Sequence, residues 1–330
     1  MAWQPFDISR QQAKPGAATM TNKIFTKWDE THSQLWACQP IRLEHEMHKS
    51  PAFSMDDLAK LIEGYPREHY SLVQTGARGS KKLWREGDIG NLSGREVIDA
   101  ISRGGLWLNM RDVGSVDSRY RKLVDRMFEE IVAKVPGFEI PKGHQESILI
   151  SAPDAQVYYH ADMPGQSLVQ IAGRKRVYVY PNSAPFITAE HLEDIALFNV
   201  EVDLPYKDWY DDHAKVLDIG PGQMLGWQMN APHRVENLDT FSVSMTISYT
   251  NEEIRRSEIV HLANGMLRHR FGYKPKSRSL RGPSYFAKAV VQKLLRDGKW
   301  VKRERSARRP IDFRLDAETP GKIVDLPKAA

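Results

Sequence analysis

Three side chains able to hold a divalent metal ion stand in two short segments of this 330-residue chain. The first, Tyr159-His160-Ala161-Asp162, sets an imidazole and a carboxylate two positions apart. Side chains of a β-strand alternate between its faces, so His160 and Asp162 can point into one cavity. The second runs from Asp218 to Asn237, where a Pro221-Gly222 turn and an apolar stretch deliver His233 at the start of a further strand, in a hairpin that closes through Glu236-Asn-Leu-Asp239. Two imidazoles and one carboxylate form a facial triad, a set that leaves coordination positions open for reactants. An isolated His-x-Asp arises by chance in many chains, so the flanking residues must carry the assignment.

They add two features. A polar turn, Met163 to Gln166, follows the pair and reverses the chain at the mouth of the cavity. Next comes Gln170-Ile-Ala-Gly-Arg-Lys175-Arg-Val-Tyr-Val-Tyr180-Pro181, read as a hairpin returning along the same sheet. Alternation puts Lys175, Val177 and Val179 on one face and Arg174, Arg176, Tyr178 and Tyr180 on the other. A lysine on the valine face needs an anionic partner, because a buried ammonium is costly alone. The competing account makes Lys175 an ordinary turn residue of Gly-Arg-Lys-Arg. His45 and His48, spaced i and i+3 without a metalloprotease pattern, read as an exposed helix or loop. His213, in the polar Tyr210-Asp-Asp-His213, is an outside candidate for a ligand.

The elements that must position these residues are legible in outline. Ser54 caps a short helix with acids in its first turn, and Ser93-Gly-Arg-Glu96 is a capping box opening a helix through Val97, Ile98 and Ile101. Leu106 to Met110 reads as a strand whose Trp107, Asn109 and Arg111 border the cavity as substrate contacts, or else pack as ordinary strand residues. A longer helix follows, with Tyr120, Leu123, Val124, Met127, Phe128, Ile131 and Val132 on one face and Pro136-Gly137 as its stop. From about residue 145 short β-rich runs take over, at 147–151, 156–160, 167–171, 176–180, 223–227 and 241–249, which points to a sandwich or barrel. Helices return at 252–267 and 284–298. The division expected is a flexible lead-in over 1–20, an N-terminal α/β region over 21–140 packed on the core, a catalytic core over 141–250, and a basic, mostly helical region over 251–330.

With those residues in view, the stretch from Ile148 to Tyr249 resembles the JmjC and cupin-like oxygenases, close to their asparaginyl-hydroxylase branch. The matching positions are His160, Asp162, the Gln-x-x-Gly-x-Lys block ending at Lys175, Tyr180-Pro181, Pro221-Gly222 and His233, about a third of the chain. The resemblance implies a mainly β fold, a double-stranded β-helix (jelly roll) with flanking helices. It implies Fe(II) on His160, Asp162 and His233, with 2-oxoglutarate as cosubstrate and Lys175 on its distal carboxylate. The implied activity is a dioxygenase that hydroxylates a protein side chain or small molecule and releases succinate and CO2. Asp162 tells against halogenation, which needs the carboxylate position vacant. Relatives also often dimerise through C-terminal helices, so a homodimer is expected. The chain departs from the pattern where Val157 replaces a Thr or Tyr, Gln166 an Asn, and Gln223 an acid. Valine cannot donate to a carboxylate, which leaves Tyr158, Gln166 or Ser167 as candidates for that contact. A basic residue shortly after the distal histidine, used by other oxygenases, is lacking between Arg234 and Arg255.

Composition sets the outer bounds. Hydrophobic residues at 41% and charged residues at 27% allow a large folded core, and one cysteine, Cys38, excludes an intrachain disulfide and a multi-cysteine zinc site. No apolar run of about 18 residues occurs, so a cytoplasmic protein without membrane spans is expected. Between Arg268 and Arg309 fifteen Lys and Arg face two acids, a net of +13 in a chain whose total is +5. That leaves two alternatives: a nucleic-acid- or ribosome-associated factor using this basic segment, and a metal-binding cupin of another activity that has no use for Lys175. Phe286, Ala289, Val290 and Leu294 give the same segment an apolar helical stripe to bury.

Overall fold

The computed structural model describes residues 23–76, 83–198, 204–238, 240–297, 310–316, 318 and 323–327; the lead-in at 1–20 and the basic stretch 298–309 lie outside them. In chain order the first part comprises β1 (Phe25–Lys27), α1 (Glu30–Leu35), β2 (Ile41–His45), α2 (Met55–Ile62), β3 (Tyr70–Thr75), β4 (Trp84–Asp88), α3 (Gly94–Ser102), β5 (Leu106–Arg111), α4 (Val113–Val116) and α5 (Ser118–Lys134). The central part comprises β6 (Gly143–Ser151), β7 (Gln156–His160), β8 (Gly165–Ala172), β9 (Lys175–Val179), α6 (Ala189–Phe198), β10 (Lys215–Ile219), β11 (Gln223–Gly226), β12 (His233–Asn237) and β13 (Ser242–Thr250). The last part holds α7 (Glu252–Phe271), α8 (Gly282–Asp297), β14 (Ile311–Leu315) and β15 (Ile323–Asp325).

The helix starts follow the capping chemistry of the sequence. Ser54 accepts from the Asp57 amide, and the Ser93–Glu96 box is closed in both directions. On α5 the predicted apolar face is buried from Tyr120 to Ile131, with Val132 half-exposed at its edge.

Two sheets face one another. The larger has the order β1-β2-β11-β8-β13-β6-β5-β3-β4-β14-β15, and the smaller β10-β9-β12-β7. From β6 to β13 the chain passes between the sheets at almost every turn, β9 to β10 being the one paired exception. That is a double-stranded β-helix, mainly β with helices packed outside it. The two expected hairpins are corrected by this topology. β8 pairs with β11 and β13, while β9 pairs with β10 and β12, so 170–181 crosses from sheet to sheet. Gly173 makes the crossing tight: its φ is +72°, and a Cβ there would collide with the Phe241 carbonyl. Likewise β12 and β13 lie in opposite sheets.

Strand β13 divides polar from apolar by alternation. Val243, Met245, Ile247 and Tyr249 join the apolar core on the outer face of the large sheet, where Tyr249 meets Phe128 of α5 at 5.4 Å between ring centroids. Ser244 and Ser248 turn the other way, into the space between the sheets, where Ser244 meets Lys175 and Ser248 meets Gln166. A second, smaller apolar cluster fills that space around Leu168, Val177, Val179 and Leu225.

The C-terminal region, expected to be mostly helical, ends in strands. β14 adds parallel to β4 and carries the fully buried Phe313, whose ring occupies the volume that a Cβ at Gly87 would need. No helix among the described residues is long and apolar enough to cross a membrane. Because Phe313 seats the returning strand, Phe313→Ala is expected to cost about 3–5 kcal/mol of unfolding free energy. A urea titration checks this; an unchanged midpoint would mean that β14 contributes nothing to the cooperative fold.

Candidate metal and cosubstrate site

The register of β7 and β12 brings the distant histidine home. His233 lies directly opposite His160 in this antiparallel pair. Three residues of β7 then span two of β12, because His160 pairs with His233 while Val157 pairs with Val235. This bulge at Tyr158 and Tyr159 resets the alternation, so Val157 packs against the cluster between the sheets while Tyr159 joins an aromatic cluster with Tyr180, Phe186 and Tyr210. β7 ends at His160, and Asp162 stands in the turn beyond it. The simple alternation argument is therefore replaced by a strand end plus a turn.

The three side chains converge. Asp162 Oδ2 lies 3.9 Å from His160 Nε2 and 3.4 Å from His233 Nε2, and the two imidazole centroids are 4.1 Å apart. One ligand atom from each lies within 4.8 Å of the others. Each ring is oriented by its own backbone: His160 Nδ1 donates to the Tyr158 carbonyl at 2.7 Å, and His233 Nδ1 to the Ala231 carbonyl at 3.1 Å. A carbonyl can only accept, so both Nε2 atoms carry the lone pair and face the shared point. Burial pushes the His233 imidazole down to about 4, with the neighbouring His160 adding to the effect and Asp162 opposing it. It is thus neutral at physiological pH, the form that binds a metal. Trp227 closes one flank, its ring 4.7 Å from that of His233.

The same two strands lead away from the ligands into a small cavity lined by Val157, Val235, Asn237, Gln156, Trp107 and Lys175, among others. Lys175 is buried, with Nζ donating to Ser244 Oγ at 2.8 Å. Among the described residues no carboxylate pairs with it, and burial pushes its ammonium down to about 7. A cation held away from water without a counter-charge is the fit expected of a site for an anionic ligand. The donor set at the other end, two imidazoles and a carboxylate, suits a ferrous ion.

The remaining sequence candidates divide. Gln166 points between the sheets, with Nε2 donating to Ser248 Oγ at 2.8 Å. Tyr158 is turned aside by the bulge: its hydroxyl bonds the backbone of Gly76 and Leu83. Ser167 lies on the opposite face of β8, beside Gly226 and close to the Trp36 ring. Trp107 lines the cavity, whereas Arg111 ties β5 to its neighbour by donating to Ser71 Oγ and the Glu68 carbonyl. His45 is buried with its ring bonded to the Gln223 carbonyl, so it is a core histidine rather than an exposed one. His213 packs against Phe186 and Trp209 and forms no ligand cluster among the described residues. Sequence reasoning missed Ser244 and Ser248. Their signal was the alternation Ser-Val-Ser-Met-Thr-Ile-Ser over 242–248, a polar stripe of period two.

No family model and no curated protein matches the sequence. Among solved structures, the chain is similar to YcfD from Escherichia coli, described as a ribosomal oxygenase in complex with cobalt and 2-oxoglutarate. Identity there is 16% and the TM-score 0.48, over 89% of this chain and 75% of that one. A second structure of that protein gives 14% and 0.49, over 89% and 76%. A third, with cobalt and succinic acid, gives 14% and 0.45, over 89% and 75%.

Removing one imidazole tests the convergence directly. His233→Ala is expected to weaken Mn(II) binding by at least about 100-fold in calorimetric titration. Wild-type affinity in that variant would show that the ion, if bound, sits elsewhere.

Proposed function

We propose that this chain is an Fe(II)- and 2-oxoglutarate-dependent oxygenase of the JmjC/cupin-like type, hydroxylating a protein side chain or a small molecule. The observation that carries the reading is Lys175. A metal-binding cupin of another activity accounts for His160, Asp162 and His233, but not for a buried, counter-charge-free ammonium at the end of the strands that bear them.

In this reading His160, Asp162 and His233 hold the iron on one face, and Lys175 fixes the distal carboxylate of 2-oxoglutarate. The bound ferrous ion supplies oxygen activation coupled to decarboxylation, so that 2-oxoglutarate, O2 and R–H yield succinate, CO2 and R–OH. Ser244 accepts from Lys175 and so holds its ammonium in place. Val157, Val235 and Trp227 exclude water along the length of the site. The Nδ1 bonds to backbone carbonyls hold both imidazoles in the ligating tautomer.

The basic C-terminal segment gives less support to a nucleic-acid factor. Arg268 pairs with Glu193 and Asp194, and Arg278 lies near Glu190 and Glu193, so part of that charge is neutralised within the fold. The exposed faces of Phe286, Val290 and Leu294 on α8 instead support a homodimer through the C-terminal helices. The sequence expected this stripe to be buried, and a partner helix would do so. A single free cysteine, Cys38, fits a reducing, cytoplasmic setting.

Aerobic incubation with Fe(II) and 2-oxoglutarate is expected to release succinate, and Asp162→Ala to abolish that release. Succinate formation undiminished in the variant would overturn the reading. The pH dependence has a definite sign. Lys175 is protonated below about 7 in the free protein, and a bound carboxylate raises its pKa. Affinity for 2-oxoglutarate is therefore full below pH 7 and falls about tenfold per unit above it, until the pKa of the complex is reached. Flat affinity from pH 6 to 9 would dissociate Lys175 from binding. For the dimer, light scattering should give twice the 37.7 kDa chain mass, and Phe286→Glu with Val290→Glu should return it to one. A monomeric wild type would exclude the dimer.

A further inference from the structure

We infer that the Trp107 indole N–H is the second donor to the distal carboxylate of the cosubstrate, an assignment that rests on the 2-oxoglutarate reading above. Its starting point is a gap. Val157, on the strand that carries His160, lines the cavity but offers no polar atom. Lys175 approaches from β9 and already holds Ser244 on its far side. A carboxylate has two oxygens, and one cation satisfies one of them well.

Trp107 is 7% exposed, and its Nε1 is buried without an acceptor among the described residues. An indole N–H is a donor only, and such groups find a partner when they are buried. The ring lines the same cavity as Lys175. The two are linked by a short path across the fold: Trp107 pairs with Ser151 in register, Asn237 Nδ2 donates to Ser151 Oγ at 3.0 Å, and Asn237 pairs with Lys175.

Nearby acceptors do not relieve the indole. The Glu86 carboxylate takes the neighbouring indole of Trp84 at 2.9 Å, and the Trp84 ring stands edge-on to Trp107 at 5.4 Å, which fixes the plane of Trp107. The result is a rigid, uncharged donor, buried and without an acceptor among the described residues, on a ring that lines the cavity shared with Lys175. An anion there meets a charge from one wall and a hydrogen bond from another, and is held in one orientation.

The test compares two ligands on Mn(II)-loaded protein by calorimetry. 2-Oxoglutarate carries the distal carboxylate; 2-oxobutanoate has the same keto-acid head and lacks it. Trp107→Phe is expected to weaken 2-oxoglutarate about tenfold and to leave 2-oxobutanoate unchanged within about twofold. Lys175→Met should weaken 2-oxoglutarate as well. If Lys175→Met loses affinity and Trp107→Phe does not, this inference falls and the cosubstrate reading stands. If Trp107→Phe weakens both ligands equally, the ring only shapes the cavity, and the inference again falls. If the wild-type protein binds no 2-oxoglutarate, both fall together.

Discussion

The pairing of β7 with β12 is the constraint from which the site follows. Its register sets His233 against His160 across one pair of strands, although 73 positions separate them in the chain. A slip of one residue would turn one imidazole out of the interior and leave the other alone. The bulge at Tyr158 and Tyr159 belongs to the same device. It lets Val157 and His160 both face between the sheets while Tyr159 anchors the outer side of the small sheet. A bulge next to reactive side chains re-aims them without altering the rest of the ladder.

The space between the sheets is unusual in its polarity. In most sandwiches the inner faces are apolar and the outer ones wet. Here β13 sends its apolar residues outward, against α5 and the N-terminal layer, and its hydroxyls inward, toward Lys175 and Gln166. The outer face can be apolar because helices cover it. The inner face can be polar because the groups there meet each other, Lys175 with Ser244 and Gln166 with Ser248. Lys175 concentrates that logic: its burial is costly, and Ser244 offsets only part of the cost.

The flanking regions extend this frame rather than standing apart from it. β3, β4 and β5 continue the large sheet beyond β6, and β14 returns from the C-terminal helices to pair with β4. Trp84 of β4 in turn supports Trp107 of β5 at the cavity wall. α6 packs beside the loop that carries Asp162, since Ile195 and Ala196 cluster with Ala161 and Met163 on either side of it. Its buried Glu193 binds Arg268 of α7 at 2.9 Å. The C-terminal helices are therefore connected to the Asp162 loop through packed side chains and an ion pair.

Local chemistry is legible in the sequence itself. Helix caps at Ser54 and Ser93, the face of α5, most core strands and the burial of Lys175 with Val177 and Val179 all follow from residues within a few positions of one another. His160, Asp162 and His233 could be nominated because few residue types bind metal and their neighbours punctuate strands. What tertiary structure decided was every feature that depends on which strand lies beside which. A single chain cannot tell a hairpin from a crossing between sheets, since both need a tight glycine turn, and so 170–181 and 236–239 were misread. Nor can spacing reveal a bulge, after which the Tyr158 hydroxyl bonds the backbone of Gly76 and Leu83. Trp107 and Ser244 lie far from Lys175 along the chain, and their approach is set by sheet order, not by local periodicity.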